Sequence, residues 1–295
     1  MNFLITGGTG FVGKHLCLAL QRKGHHTYIL TRSPLQHRNN QAATFIHYNY
    51  PAEKLPLIEG VINLAGETLF GYWSQKKKDK IKSSRLETTN TLIQFMKQMK
   101  VKPNVFISGS AVGYYGMSED IIFTEATTAS GKDFLAEVVM EWEQAAKQAE
   151  SLGIRTVFTR FGVILGEEGS LPLMSLPVKL FAGGTIGNGE QWISWIHIED
   201  VVRLIDYCLF NKQIEGAVNT TAPSPLRNKD FMQTLAKVLM RPNLITAPSP
   251  LIYAAIGEMG QLITKGQYVL PQKALNHGFK FKHPELAKAL ENLME

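Results

Sequence analysis

The chain has 295 residues, 44% hydrophobic and 19% charged, and its 31 basic against 25 acidic residues leave a net charge of +6. That length supports one large or two modest domains, and the composition excludes a disordered or low-complexity chain. A balance this mildly basic suits an anionic ligand and does not argue for nucleic acid. No stretch approaches the roughly eighteen apolar residues of a membrane span.

Phe3, Leu4, Ile5 and Thr6 read as a short buried strand. Gly7, Gly8, Thr9 and Gly10 follow as a turn, and from Phe11 the apolar positions Phe11, Val12, Leu16, Ala19 and Leu20 take helical spacing. The N-terminus is thus a strand and not a signal peptide, so a cytoplasmic protein is expected. Gly7, Gly10 and Gly13 stand at Gly-x-x-Gly-x-x-Gly spacing. The first permits a tight turn, the second lets the backbone approach a pyrophosphate, and the third lets helix and strand pack closely. Alone such a pattern is weak; between a strand and a helix start it points to a dinucleotide held at the helix N-terminus. Gly7, Thr9, Gly10, Phe11, Val12 and Gly13 are the expected contacts.

The first helix should end near Lys23, with Gly24 just beyond it. His25 to Leu30 reads as a second strand, and it ends in Thr31, Arg32 and Ser33 with no carboxylate for a ribose hydroxyl. A guanidinium flanked by hydroxyls suits a 2′-phosphate, so Thr31 and Arg32 predict NADP(H). A third strand is expected near Thr44 to Tyr48, and a fourth over Gly60 to Ala65, an apolar run typical of a buried parallel strand. Leu64, Ala65 and Gly66 at its end would let a cofactor pass close by. The basic run Gln75 to Lys82 reads as a solvated helix face. It leads into a helix carrying Arg85, which could reach a phosphate or make a surface salt bridge.

Asn104 to Ile107 is the expected fifth strand, running into Ser108, Gly109, Ser110, Tyr114 and Tyr115. Hydroxyls and flexible backbone at a strand's carboxyl end mark the ligand crevice of an open α/β sheet. A long helix lies between Gly131 and Gly153, followed by a sixth strand from Ile154 to Arg160. Ser108 and Arg160 complete the expected cofactor contacts. Regular alternation of strand and helix implies a Rossmann-type, doubly wound parallel α/β sheet.

After Gly166 the character changes. Pro172, Pro177 and the glycines at 183, 184, 187 and 189 should break regular structure over the substrate side. Ser194 to Ile198 reads as a short strand. Glu199 and Asp200 then open a helix to about Phe210 by N-terminal capping, and His197 reads as a structural histidine or as one facing a substrate. Ala217 to Thr221 is a further strand; Lys229 to Leu239 and Leu251 to Ile263 are helices. Residues 1–165, completed by about 192–222, would form the nucleotide-binding domain. Residues 166–191 and 223–295 would form a smaller, mostly helical substrate-side and C-terminal region. Cys17 and Cys208 lie on apolar helix faces and read as buried thiols; no metal-ligand spacing appears.

Several of these segments together resemble the extended short-chain dehydrogenase/reductases, the nucleotide-sugar epimerase and dehydratase superfamily. They are TGGTGFVG, NLAG, Ser110 to Gly116, RFGVILG, GGTIGNGEQWISWIHIED and NTTAP, and they span nearly the whole chain. WIHIED, SSRLETTN, the FLAEVVMEWE helix and a C-terminal module from Leu270 to Leu290 are most similar to the atypical "epimerase family" group. In that module His283 should cap a helix with Pro284 at its first position.

The resemblance implies chemistry by a Ser/Thr, a Tyr acid/base and a Lys that lowers its pKa. Ser110 matches the serine. Where the Tyr-x-x-x-Lys pair belongs, the chain has Phe134 and Val138, which offer neither proton nor charge. Two readings follow. One is an NADP-dependent oxidoreductase or epimerase, acting on an unidentified small molecule such as a nucleotide sugar, with its acid relocated to Tyr114, Tyr115 or Glu67. The other is an NADPH-binding sensor or interaction protein without turnover. Neither nucleic acid nor membrane is an expected partner, and the oligomeric state stays open, a homodimer included.

Overall fold

A computed structural model describes residues 1–243 and 245–294. Its strands are β1 (Asn2–Thr6), β2 (His26–Leu30), β3 (Ala43–Ile46), β4 (Gly60–Asn63), β5 (Val105–Ala111), β6 (Ile122–Phe123) and β7 (Arg155–Phe161), then β8 (Val163–Leu165), β9 (Trp192–Ile193), β10 (Trp195–His197), β11 (Gly216–Thr220), β12 (Leu226–Arg227) and β13 (Tyr268–Val269). The helices are α1 (Phe11–Arg22), α2 (Gln75–Gln98), α3 (Phe134–Lys147), α4 (Ser170–Lys179), α5 (Ile198–Phe210), α6 (Asn228–Val238), α7 (Ser249–Ile256), α8 (Gln261–Thr264), α9 (Gln272–Asn276) and α10 (Leu286–Met294). Seven parallel strands form the central sheet in the order β11-β7-β5-β4-β1-β2-β3. This is the expected doubly wound α/β architecture.

Both faces of the sheet are covered. Phe3, Ile5, Ile62, Ile107 and Val157 pack with Leu16 and Leu20 of α1 and Val201 and Ile205 of α5. On the other side Leu4, Val61, Phe106 and Phe158 meet Leu92 and Met96 of α2 and Ala146 of α3. Strands buried on both sides read as continuous apolar runs, as GVIN does. The chain fills the sheet outward from β1 to β3 and then returns to fill it from β4 to β11. The strand order therefore reverses between β1 and β4, and the crevice for a ligand opens outside the carboxyl ends there.

Several boundaries differ from the sequence reading, each for a tertiary reason. β5 continues through Ser108, Gly109 and Ser110 because β7 runs beside it, pairing Ser110 with Arg160 and Ala111 with Phe161. The helix expected over 251–263 is divided at Gly257 into α7, a tight helical turn and α8. Pro172 and Pro177 do not break the chain but lie within α4; Pro172 falls in the first turn, where a missing N–H costs no helix bond. The basic run is only partly a solvated face. Lys77 and Lys80 pair with Glu67, Lys78 with Glu258, and Lys82 with Glu137 and Glu141. Cys17 and Cys208 are buried free thiols, their pKa values pushed up to about 12 by that burial.

The C-terminal module docks on the start of α5, where the capping expectation is corrected. His197, not the acid pair, caps α5: its Nδ1 accepts from the Glu199 N–H at 3.0 Å. Asp200, fully buried, accepts instead from the backbone N–H groups of Lys282 at 2.8 Å and His283 at 2.8 Å and from Arg203 at 2.6 Å. His283 does not cap a helix with Pro284 at its first position, since α10 begins at Leu286. Its ring stacks on His197 with centroids 3.8 Å apart, and its Nε2 lies 3.0 Å from Glu199.

Removing the Asp200 carboxylate strands the buried His283 N–H and removes the partner of the Lys282 N–H. Asp200→Ala should therefore lower stability by about 2–4 kcal/mol, measured by urea unfolding, with early hydrogen exchange in residues 279–294. Burial, then the neighbouring His283, holds the His197 pKa down from 6.5 to about 4. The neutral ring is the folded form, so its contribution is complete above the unfolded pKa and is lost as pH falls toward 4. Up to about 3 kcal/mol is involved. Melting curves between neutral pH and pH near 4 should show a smaller loss in His197→Asn, which keeps a capping group without the titration.

Candidate cofactor and active site

The glycine turn after β1 is shaped by contact with β4. Gly7 has φ +70°, and a Cβ on it would lie 2.6 Å from the Leu64 carbonyl carbon and 2.8 Å from the Ala65 nitrogen. Gly13 is pressed harder: a Cβ there would sit 2.0 Å from the Gly7 oxygen. Helix α1 is thereby drawn onto the turn. Gly10, exposed, donates its N–H to the Gly7 carbonyl at 3.0 Å and forms the helix cap, with no side chain capping α1 among the described residues. The first intrahelical bond runs from Lys14 N–H to the Gly10 carbonyl. The N–H groups of Phe11, Val12 and Gly13 precede it and are available to an anion. The Phe11 ring itself turns away, against Gly166 and Gly169, and Thr9 is exposed at the turn's tip. Gly8 has a role that the spacing did not reveal, because a side chain there would strike Ile29.

Register places the other cofactor candidates around this turn. Thr6 pairs with Leu30 and with Asn63, so the loops carrying Thr31, Arg32 and Leu64 to Gly66 all leave the sheet beside it. Arg32 is exposed and makes no ion pair among the described residues. Thr31 accepts from the Ser33 N–H at 3.3 Å. Arg85 borders Gly66, and the surface salt bridge weighed for it does not form among the described residues. Its Nη1 donates to the carbonyls of Glu67 at 3.1 Å and Ile81 at 2.9 Å. Burial lowers its pKa to about 10, with Glu67 opposing. The remaining guanidinium nitrogens make no hydrogen bond among the described residues.

Beneath the crevice lie two buried polar chains. Thr6 donates to Asn63 at 2.7 Å; Asn63 and Trp142 both donate to the Thr89 hydroxyl, at 2.9 and 3.0 Å. The second chain centres on Glu143 of α3. It accepts two hydrogen bonds from Arg160 at 2.8 Å each and one from the Ser110 hydroxyl at 2.5 Å. Burial opposes the Arg160 charge, but the Glu143 carboxylate outweighs it and raises the guanidinium pKa. The Arg160 guanidinium also lies 3.4 Å from the Tyr114 ring centroid and 4.9 Å from that of Tyr115.

Ser110, Tyr114, Tyr115 and Arg160 thus come together, but their polar atoms face one another more than the crevice. The single Ser110 proton goes to Glu143, so Ser110 has none left for a substrate oxygen. Tyr115 is buried, which raises its pKa, and donates to Asn219 at 2.8 Å. Tyr114 donates outward to the Thr128 carbonyl at 2.9 Å. Glu67 is held ionised, its pKa lowered chiefly by the hydrogen bond from Lys77, and an ionised carboxylate donates no proton. Arg160 is bidentate to Glu143, and Ser108 is buried with its hydroxyl on the Gly109 carbonyl. Val138 is buried against Trp73, Ile81, Leu135 and Met259, and the half-buried Phe134 packs edge-on to Trp73.

One group has the composition of a metal site. His197, Glu199 and His283 bring donor atoms within 4.8 Å of one another. The two imidazoles lie only 22° from parallel, so their in-plane lone pairs run side by side instead of converging. The His197 Nδ1 lone pair is already committed to the helix cap. The arrangement fits a structural junction and not chelation.

The profile of the NAD dependent epimerase/dehydratase family matches residues 3–219, and that of a domain of unknown function, DUF1731, matches residues 247–293. The chain is 45% identical to the epimerase family protein YfhF of Bacillus subtilis, over 100% of this chain and 98% of that protein. It is 40% identical to an epimerase family protein of Staphylococcus haemolyticus, over 100% and 99%. Among solved structures, the human epimerase family protein SDR39U1, determined with NADPH, is 31% identical with a TM-score of 0.90, covering 99% of both chains. UDP-glucuronic acid 4-epimerase of Bacillus cereus shares the fold at 20% identity and a TM-score of 0.78, covering 99% and 98%. No helix among the described residues is long and apolar enough to cross a membrane. The chain therefore belongs to the NAD dependent epimerase/dehydratase family, as an atypical short-chain dehydrogenase/reductase carrying the DUF1731 module at its C-terminal end.

Proposed function

We propose that this chain binds NADP(H) and acts as an oxidoreductase or epimerase on a small molecule. The observation that carries the reading is the pairing of an open glycine turn at the α1 N-terminus with Arg32, exposed at the end of β2 with no carboxylate beside it. The backbone N–H groups of residues 11–13 would hold the pyrophosphate, and Arg32 with Thr31 the 2′-phosphate. Arg85, half-buried with free N–H groups beside Gly66, would supply a second cation. When bound, the nicotinamide supplies or accepts a hydride. The NADPH in the human relative supports the same cofactor here.

A second reading, NADPH binding without turnover, is favoured by one specific observation. Apolar Phe134 and Val138 fill the positions of the acid/base pair, while the Ser110 and Tyr115 hydroxyls are spent on Glu143 and Asn219. The two readings part on turnover. NADPH oxidation over a panel of carbonyls and nucleotide sugars, lost in Ser110→Ala or Tyr114→Phe, would establish the enzyme. Tight NADPH binding with no turnover across the panel would establish the sensor.

Two substitutions test the cofactor site itself. Gly10→Val places a branched side chain over the helix start and should weaken NADPH binding by about tenfold or more, read by fluorescence titration with the fold checked by circular dichroism. Arg32→Ala removes charge-assisted hydrogen bonds and should cost NADPH about tenfold or more while leaving NADH nearly unchanged. Tighter binding of NADH than NADPH by the parent protein would overturn the assignment.

A further inference from the structure

Helix α4 is apolar on both of its faces. Leu171, Met174 and Val178 turn inward and pack with Phe231, Met232 and Leu235 of α6. Leu173, Leu176, Pro177 and Leu180 stand at i, i+3, i+4 and i+7, a second stripe on the opposite face. All four are exposed, Leu180 by 67%. A helix apolar all round belongs in an interior, yet this outer stripe faces solvent.

The apolar surface continues past the helix end. Phe181 and Met240, each two residues beyond the end of α4 and α6, have φ +60° and +53°. They are the only non-glycine residues in the left-handed region among the described residues. Glycine is the usual residue at such a helix end, because a side chain there strains the backbone. Both positions instead hold large apolar side chains in solvent, 59% and 84% exposed. The two helix ends meet, since the Arg241 guanidinium lies 4.7 Å from the Phe181 ring centroid.

The segments that build this patch carry charge of one sign. Residues 170–189 contain Lys179 and no acid; residues 231–257 contain Lys237 and Arg241 and no acid. All three cations are exposed and make no ion pair among the described residues. Glu167, Glu168 and Asp230 stand at the opposite, N-terminal ends of the two helices, and Glu168 is paired with Lys14. Compensation of the helix dipoles accounts for cations at these ends, but not for the exposed leucines beside them.

We propose that this patch rests on the surface of an anionic lipid membrane. Leu176, Leu180, Phe181 and Met240 would enter the boundary of headgroups and acyl chains, with Lys179, Lys237 and Arg241 on the lipid phosphates. Helix α4 has ten residues. That is about 15 Å of helix, half of a hydrocarbon core, so it lies on the membrane and does not cross it. A symmetric contact with a second copy would set Lys179, Lys237 and Arg241 against their own counterparts. The patch also lacks the Trp and Tyr that anchor protein interfaces, whereas a bilayer asks only for apolar side chains ringed by cations. The proposal does not depend on the cofactor reading.

Sedimentation of the whole chain with vesicles tests it, using phosphatidylcholine alone and phosphatidylcholine mixed with phosphatidylglycerol. The protein should partition onto the mixed vesicles about tenfold or more strongly than onto phosphatidylcholine. Leu176→Asp with Leu180→Asp, both at exposed positions, should cut that partition by about tenfold or more. Lys179→Glu with Arg241→Glu should also cut it by about tenfold, and stands in should the leucine variant fail to fold by circular dichroism. Lys147→Glu with Lys212→Glu makes the same change of net charge at exposed sites past α3 and α5 and should change the partition little. Failure to bind the mixed vesicles, equal binding to both vesicle types, retention of binding in both patch variants, or an equal loss in the Lys147 and Lys212 variant would overturn the proposal. Self-association that the leucine variant abolishes, without vesicle binding, would assign the patch to a second copy instead.

Discussion

The closeness of Gly13 to the Gly7 carbonyl governs the rest of the site. With a Cβ excluded at 2.0 Å, the first turn of α1 sits directly on the loop that ends β1, and its unpaired N–H groups face the sheet's switch point. The same loop rests on Leu64, so β4 forms its floor. Leu64, Ala65 and Gly66 then lie alongside, and Arg85 reaches in from α2. A site that looks local in the sequence is assembled from three separate stretches, with β1 at their centre.

The Glu143–Arg160 pair performs a comparable task on the other side of the crevice. A buried ion pair returns little net stability against its desolvation cost, yet breaking one partner leaves an uncompensated charge. Here the pair ties α3 to β7, takes the Ser110 proton and positions both tyrosine rings beneath the Arg160 guanidinium. The polar groups at the ends of β5, β7 and β11 are therefore fixed by mutual hydrogen bonding. Phe134 and Val138, where the resemblance places a proton-transfer pair, contribute packing to the adjacent apolar cluster.

Legibility in the sequence followed the range of the interactions. The β1–turn–α1 unit was readable because each of its signals lies within a dozen residues. The alternation that builds the parallel sheet was readable for the same reason. The extension of β5 through Ser110 was not, because it depends on pairing with a strand some fifty positions away. Glu143 carries a signal in the sequence. It shares helical spacing with Val139, Trp142 and Ala146, which puts a carboxylate on the buried stripe of α3. Asp200 carries a similar signal beside Val201 and Leu204, but its position suggests a cap, because its partners, the backbone of residues 282 and 283, lie across the fold.

The junction between Asp200 and the backbone of residues 282 and 283 also orders assembly in time. It spans more than eighty positions of chain, and contacts of such separation form after the loop-closure entropy of the intervening segment has been met by others. During synthesis β1 through β7 can pair as they emerge, whereas the start of α5 waits with a buried carboxylate and an imidazole exposed until the last residues arrive. The C-terminal module thus acts as the closing step of folding, and a chain interrupted before residue 282 would keep its sheet but not its seal.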